Sequence, residues 1–307
     1  MSNSSIAAGG LCAVVTGANK GIGLEVVRQL AGRGVSTVVL TSRDKSLGVA
    51  AVRSLHSSGL PNVIFHRLDV RDHLSASSLA IFLSDSFGKL DILVNNAGHT
   101  GVVVDVEGLK ALNIDPESWL SGKATEQVQE VIHQNHENAE ICLDTNYFGV
   151  KRVTESLLPL LRQSPSGARI VNVSSLRSEL KRIPSEKIRK ELSDAENLNE
   201  EKIEKLLGQF LRDLKEGKLD AGGWPRMLPA YSMSKMALNA YTRVLARRWP
   251  EMYVNCVHPG FIKTDFNWNT GVGTTEEGAR GPVMLALLPD GGPSGRYFHE
   301  TTIAPDF

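Results

Sequence analysis

Leu11-Cys-Ala-Val-Val-Thr16 runs directly into Gly17-Ala-Asn-Lys-Gly21-Ile-Gly23 and then into a helical apolar pattern. The order is a β-rich run, a glycine turn and a helix start. Glycines let a backbone approach a pyrophosphate closely, and the free amides and dipole at a helix start favour its negative charge. The first glycine gap is three residues long here, where the common dinucleotide fingerprint has one. Asn19, Lys20 and Ile22 fill the loop set out by Gly17, Gly21 and Gly23 and are expected to face the same ligand.

Outward from this stretch, β-rich runs recur at Thr37 to Thr41, Val63 to Leu68, Leu90 to Val94, Arg169 to Val173 and Met252 to Val257, with helical patterns between them. A last short run lies at Gly295 to His299. Strand alternating with helix predicts an α/β fold, a doubly wound parallel sheet of about seven strands in the Rossmann manner. The length of 307 residues suggests about two domains, but no composition break divides the chain. The reading is therefore one domain over 11–307 after a flexible N-terminus over 1–10, with insertions at about 99–143 and 176–228. The second insertion precedes Tyr231 and is dense in charge, with 21 Asp, Glu, Lys and Arg in the 42 positions from Glu179 to Asp220. Such density reads as a solvated face. Inside it Ile203, Leu206, Leu207, Phe210, Leu211 and Leu214 keep helical spacing after Asn199 and before Gly217, which predicts one capped amphipathic helix laid on the main body.

Equal numbers of basic and acidic side chains, 34 each, give no net field to recruit nucleic acid or an acidic membrane. No apolar run approaches the ~20 residues needed to cross a bilayer, and Met1 to Gly10 lacks the basic flank and apolar stretch of a secretory signal. The expectation is a soluble cytoplasmic protein. Cys12, Cys142 and Cys256 are odd in number and lie in apolar surroundings, so reduced, buried thiols are expected. His133 and His136, three apart on an expected helix, have no third ligand nearby in sequence and read as a surface pair, with no metal site. Thr274 and Glu277 have the spacing of a capping box for a helix leading to Leu288.

The second β-run ends at Thr41-Ser42-Arg43-Asp44. A cofactor with a free ribose hydroxyl calls for a carboxylate at this strand tip, and Ser42 stands there instead. Arg43 and Lys20 offer a guanidinium fork and a point charge suited to a 2′-phosphate, so NADPH/NADP+ is expected over NADH. The alternative gives the ribose to Asp44. Farther on, Tyr231 and Lys235 stand four apart, a spacing that puts a phenol and an ammonium on one helix face. A cation about 4–6 Å from a tyrosine stabilises its anion and lowers its pKa from about 10, which equips the pair for proton transfer.

These pieces, with Leu68-Asp69-Val70, Asn95-Asn96-Ala97-Gly98, Asn146 in Asp144 to Gly149, Ser174-Ser175, and Pro259-Gly260 followed by Thr264, make the chain resemble the short-chain dehydrogenase/reductase family over essentially its whole length. More narrowly it is similar to the monomeric carbonyl reductase branch of the plant salutaridine reductase and neomenthol dehydrogenase type. That similarity rests on Gly223-Trp224-Pro225, Asn239 to Arg243 and Thr275 to Ala279. Ser175 and Tyr231 stand 56 positions apart (231 less 175), where most members have a short connection. In the monomeric branch such an insert covers the helices used elsewhere for pairing subunits, so the resemblance implies a monomer.

The resemblance implies NADPH-dependent carbonyl reduction in plant secondary metabolism. Tyr231 is then the general acid, Lys235 lowers its pKa and holds the nicotinamide ribose, and Ser175 orients the carbonyl. Asn146 binds a water that joins Lys235 to solvent. Asp69 meets the adenine amino group, Val70 lines its ring, and Asn95, Ala97 and Gly98 line the cofactor beyond the fourth strand. For Asn95 a structural role tying strands together stays open. Pro259, Gly260, the backbone near Ile262, and Thr264 belong to the nicotinamide end. Apolar residues at Val102 to Val104, Met227, Leu228, Phe261, Phe266 and Trp268 favour a hydrophobic, cyclic, terpenoid- or alkaloid-like ketone or aldehyde. Tyr147, Phe148 and Tyr241 read as packing residues. Two other readings compete. One is reduction of a conjugated double bond, as in isopiperitenone reductase relatives whose tyrosine position is altered. The other is a low-turnover NADPH-binding sensor or scaffold.

Overall fold

The computed structural model describes residues 10–304, so the expected flexibility of the first residues and the last three positions lie outside the described residues. Ten strands form: β1 (Cys12–Val15), β2 (Thr37–Ser42), β3 (Val63–Arg67), β4 (Ile92–Asn95), β5 (Val102–Val104), β6 (Ile132–Gln134), β7 (Arg169–Val173), β8 (Tyr253–His258), β9 (Tyr297–His299) and β10 (Thr302–Ile303). Eight of them make one sheet in the order β10-β9-β8-β7-β4-β1-β2-β3. Every ladder is parallel except β9 with β10, a two-residue antiparallel addition that raises the expected seven strands to eight. Helices on both faces bury the central strands completely, which is why β1 and β4 read as unbroken apolar runs in sequence. The strand order reverses between β1 and β4, and an open α/β sheet has its binding crevice at such a switch, beyond the carboxyl ends of the strands.

The first insertion is a small satellite and not an extended substrate loop. Val102–Val104 pairs as β5 with β6, and three short helices lie between them. Asp105 and Asp115 cap two of these helices with their carboxylates. Leu109, Trp119, Val128, Ile132 and Met227 form its own apolar cluster. His133 therefore sits on β6 opposite Val103, away from the helical register expected for it, while His136 starts the following helix and faces Glu140 at 3.5 Å.

The second insertion folds as expected around the helix Glu200–Lys215, whose first turn is capped by Asn199 through Lys202 N. Ile203, Leu206, Leu207 and Phe210 are buried, and Leu211 and Leu214 are partly so. Phe210 meets Trp224 edge to face at 5.4 Å, and the Trp224 indole N–H donates to Asp213 at 2.8 Å. Lys151 Nζ reaches Glu200 at 2.9 Å and Glu204 at 2.6 Å, clamping this helix onto Gly149–Leu161. The charge run is thus a solvated outer face over an apolar inner one. Tyr147 and Tyr241 are fully buried and pack ring against ring at 5.8 Å. The capping box forms, with Thr274 Oγ1 accepting from Glu277 N and Glu277 accepting from Thr274 N. All three cysteines are free and buried.

Candidate active site

Thr16 ends β1 where Gly17 turns the chain at φ +61°, and a Cβ on Gly17 would lie 2.8 Å from Ala97 Cα. Only glycine allows that approach. Asn96, quoted in sequence but given no role, holds the turn from the β4 side. Its Nδ2 donates to Thr16 O and Gly17 O, both at 3.0 Å, while its N–H and that of Ala97 donate to Thr16 Oγ1. The helix Gly21–Gly32 then begins with Lys20 as its N-cap, and no side chain bonds the first-turn amides. Those donors are left open, which suits an anion.

Every residue expected to serve catalysis or the cofactor lines one cleft of about 600 Å³ except Asn95 and Asn146. Asn95 is a correction: it is buried below the cleft floor, its Nδ2 donating to Asn172 Oδ1 at 2.9 Å and Thr154 Oγ1 at 3.3 Å, so it ties β4 to β7 and not to a ligand. Asn146 lies in a π-helical turn, Asp144–Phe148, that interrupts the helical run. Its side chain is fully used by protein: Oδ1 accepts from His99 N at 2.8 Å, and Nδ2 donates to His99 O and Ser234 Oγ at 2.9 Å.

At the far end Ser42 donates to Asp44 O at 2.6 Å. The Asp44 carboxylate accepts from Leu47 N and Ser46 Oγ, capping the helix Lys45–Ser57. Asp44 does not line the cleft, whereas Arg43 stands at its wall. Lys20 is paired with Asp265 at 3.0 Å, an exposed bridge from the glycine loop to the segment after Thr264.

The helix Pro229–Arg248 starts after Leu228, which holds φ +48°, a left-handed conformation that is uncommon for a bulky residue. One turn in, Tyr231 and Lys235 face the cleft together, the Lys235 nitrogen 5.8 Å from the phenol ring centre. Lys235 donates to Val173 O at 2.8 Å, which fixes it to the end of β7. Ser175, the next residue but one, lies close enough to the Tyr231 phenol to draw its pKa down, whereas Ser174 is turned away to Asn239 at 2.6 Å.

The electrostatics depart from the sequence expectation. Burial pushes the Tyr231 phenol up to about 12, opposed by the Ser175 hydrogen bond and by the Arg177 guanidinium. Burial likewise pulls the Lys235 ammonium down to about 8. Burial is the largest influence on the phenol, and Lys235 is not among the groups that shift it. His258, at the end of β8, is driven down to about 3 by burial and by His299 stacked on it at 5.0 Å.

The open end beside Tyr231 is walled by Trp119, Leu120, Leu176, Leu228, Phe261, Phe266 and Trp268, with the Phe266 ring 5.8 Å from that of Tyr231. Val102 to Val104 and Met227 do not reach it, since they pack in the satellite beneath. Trp119, Leu120, His99 and Arg177 were not foreseen there. Arg177 lies in the charged stretch, where nothing in the local pattern separates a buried cation from its solvated neighbours.

The profile of the family described as short chain dehydrogenase matches residues 11–185 and 222–273, the break falling on the charged insertion. Short-chain dehydrogenase/reductase 1 of Saponaria officinalis is 51% identical over 294 residues, covering 95% of each chain. The (+)-neomenthol dehydrogenase of Arabidopsis thaliana is 48% identical over 295 residues, covering 95% of this chain and 97% of its own. The solved structure of salutaridine reductase from Papaver somniferum superposes with a TM-score of 0.87 at 48% identity, covering 94% of this chain and 99% of that one.

Proposed function

Because the chain belongs to the short-chain dehydrogenase/reductase family, oxidoreductases that use a nicotinamide cofactor, we propose that it is an NADPH-dependent reductase of hydrophobic, terpenoid- or alkaloid-like ketones or aldehydes. The carrying observation is the Tyr231 phenol, sharing an apolar-walled pocket with Ser175, with Lys235 one turn behind it.

The cleft fits a dinucleotide on its own terms: a turn that no Cβ could enter, first-turn amides with no side-chain cap, and Arg43 at the tip of β2 where a carboxylate is missing. Lys20 and Arg43 would hold the 2′-phosphate, and the preference for NADPH rests on them. Asp69 and Val70 would line the adenine, and Thr264, Gly260 and Ile262 the carboxamide end. A reduced nicotinamide bound there supplies the hydride.

Ser175 then donates to the substrate carbonyl oxygen and aims it at Tyr231. As the carbon–oxygen π bond breaks toward oxygen, Tyr231 gives that oxygen its proton, and the alcohol results. Positioned proton transfer of this kind contributes roughly 10²–10⁴ in rate. A phenol pushed up to about 12 is fully protonated at neutral pH, ready as an acid. Lys235 would hold the ribose, and a water on the backbone of the Asn146 turn returns the proton from solvent. The side chain of Asn146 sets the turn and not the relay, because its polar atoms are occupied. An intact Tyr231 favours carbonyl chemistry over double-bond reduction, and the complete set with Ser175 and Lys235 favours turnover over a scaffold.

The insertion covers the helices Gly149–Leu161 and Pro229–Arg248, which supports a monomer; light scattering that found a dimer at all concentrations would overturn this. Buried free thiols suit a reducing compartment, and cytoplasmic location follows from that reading. The principal test is NADPH consumption with product analysis over cyclic ketones, quinones and aldehydes. Turnover should vanish in Tyr231→Phe while NADPH still binds; a variant that reduces the same ketone at the wild-type rate would end the proposal.

A further inference from the structure

Arg177 follows Ser175 by two residues and is 5% exposed, yet it lines the open end of the cleft beside Tyr231. Its backbone N–H donates to Ser175 Oγ at 3.1 Å, which fixes the turn Leu176–Ser178 and aims the side chain across the pocket toward the satellite wall. There Nη2 donates to Trp119 O, and Trp119 in turn stacks on Phe261 at 6.3 Å. A guanidinium has five N–H donors, and among the described residues this is the only side-chain bond it makes. Among the described residues no carboxylate pairs with it. Glu179, the nearest acid to act on it, is held by Arg182 at 3.1 Å and Lys181 at 3.4 Å.

A buried cation without an anion is costly to keep, so a fold that keeps one in a ligand cavity has left its partner to the ligand. Lys235, the other cation beside Tyr231, donates to the Val173 carbonyl and, on the reductase reading, would hold the cofactor ribose. The walls around Arg177 are otherwise apolar, and a guanidinium takes a carboxylate through two parallel bonds. We propose that the substrate is a hydrophobic oxo-acid, whose carboxylate is taken by Arg177 on the Trp119 side of the pocket while its ketone or aldehyde meets Ser175 and Tyr231. This rests on the reductase reading and narrows it from neutral ketones to anionic ones.

The test compares 3-oxocyclohexanecarboxylate and 4-oxocyclohexanecarboxylate with their methyl esters, in wild type, Arg177→Met and Arg177→Lys. Wild type should prefer at least one acid over its ester by about tenfold or more in kcat/KM. In Arg177→Met that ratio should fall to about one or below, and Arg177→Lys should recover part of it. A ratio within one preparation is insensitive to loss of folded protein, and a merely structural role for Arg177 would lower acid and ester together. Equal use of acid and ester by wild type, or an unchanged ratio in Arg177→Met, overturns the inference while leaving the reductase reading intact. Binding of cyclohexanecarboxylate, which has no carbonyl to reduce, is followed separately by tryptophan fluorescence. Tighter binding to wild type than to Arg177→Met, with no ketone reduced by either, would sink the reductase reading and keep the anion site.

Discussion

Replacing Gly23 by alanine should weaken cofactor binding and lower the stability of the fold only modestly. A Cβ at this position falls 2.4 Å from Asn96 Nδ2, 2.9 Å from Gly17 O and 3.0 Å from Ala18 Cα. The amide could swing aside, but the two backbone atoms belong to the turn itself and must move with it. Asn96 then loses its bonds to Thr16 O and Gly17 O. At about 0.5–1.5 kcal/mol each, two such bonds represent roughly 1–3 kcal/mol of order in the turn. At 1.4 kcal/mol per tenfold, NADPH affinity should fall by roughly 5- to 150-fold. Opposing this, a helix position gains at most about 1 kcal/mol on going from glycine to alanine, so the melting temperature should fall by less than the lost bonds alone would imply. Fluorescence titration with NADPH and a thermal melt on the same sample separate the two effects. Asn96→Ala, which removes the clamp without a clash, should shift affinity in the same direction. A Gly23→Ala protein that binds NADPH within about twofold of wild type would refute the argument that Asn96 sets the turn.

Lys235 titrating at about 8 should make kcat/KM for reduction fall as pH rises above 8, and Lys235→Met should lose that limb along with most activity. The folded value lies below the ordinary 10.5, so the unfolded chain binds this proton more tightly; stability to urea should rise between pH 8 and 10.5 in wild type and less in Lys235→Met. Ser42→Asp combined with Arg43→Leu places a carboxylate at the β2 tip and removes the fork; the NADPH-to-NADH ratio of kcat/KM should drop by about tenfold or more. Phe210→Ala, which empties the contact with Trp224, should cost about 3–5 kcal/mol as read by denaturant midpoint, and a loss under 1 kcal/mol would mean that the insertion is not anchored there.

The parallel sheet was legible because its strands are buried on both faces, so apolar runs and glycine turns are unavoidable in sequence. The same holds for Tyr231 and Lys235, whose spacing is fixed by the helix that carries them. The satellite between His99 and Gln134 was not legible. Its strands are three residues long and pair with each other across 27 intervening residues (132 less 104, less one), and no local period reports such a pairing. Reading Val102 to Val104 as a substrate wall followed from their apolarity alone, which an edge of a two-stranded sheet satisfies equally well. Asn95 and Asn96 show the same limit at the scale of one residue. Two adjacent amides at the end of β4 serve different partners, Asn95 toward β7 and Asn96 into the glycine turn, and nothing in the sequence says which serves the ligand.

The electrostatic balance adds a direction to the chemistry. Burial acts on both Tyr231 and Lys235 but moves them oppositely, raising the phenol, which is neutral when protonated, and lowering the amine, which is charged when protonated. The consequence is that the phenol keeps its proton over the whole physiological range, while the ammonium is the group within reach of ambient pH. A protonated phenol is what reduction consumes and what oxidation must first remove. Alcohol oxidation by this site should therefore need alkaline conditions or the added positive charge of an oxidised nicotinamide, and reduction should not. Arg177 pulls the phenol down from the substrate side, so a carboxylate that neutralises the guanidinium would also leave the proton more firmly on Tyr231 before the carbonyl arrives.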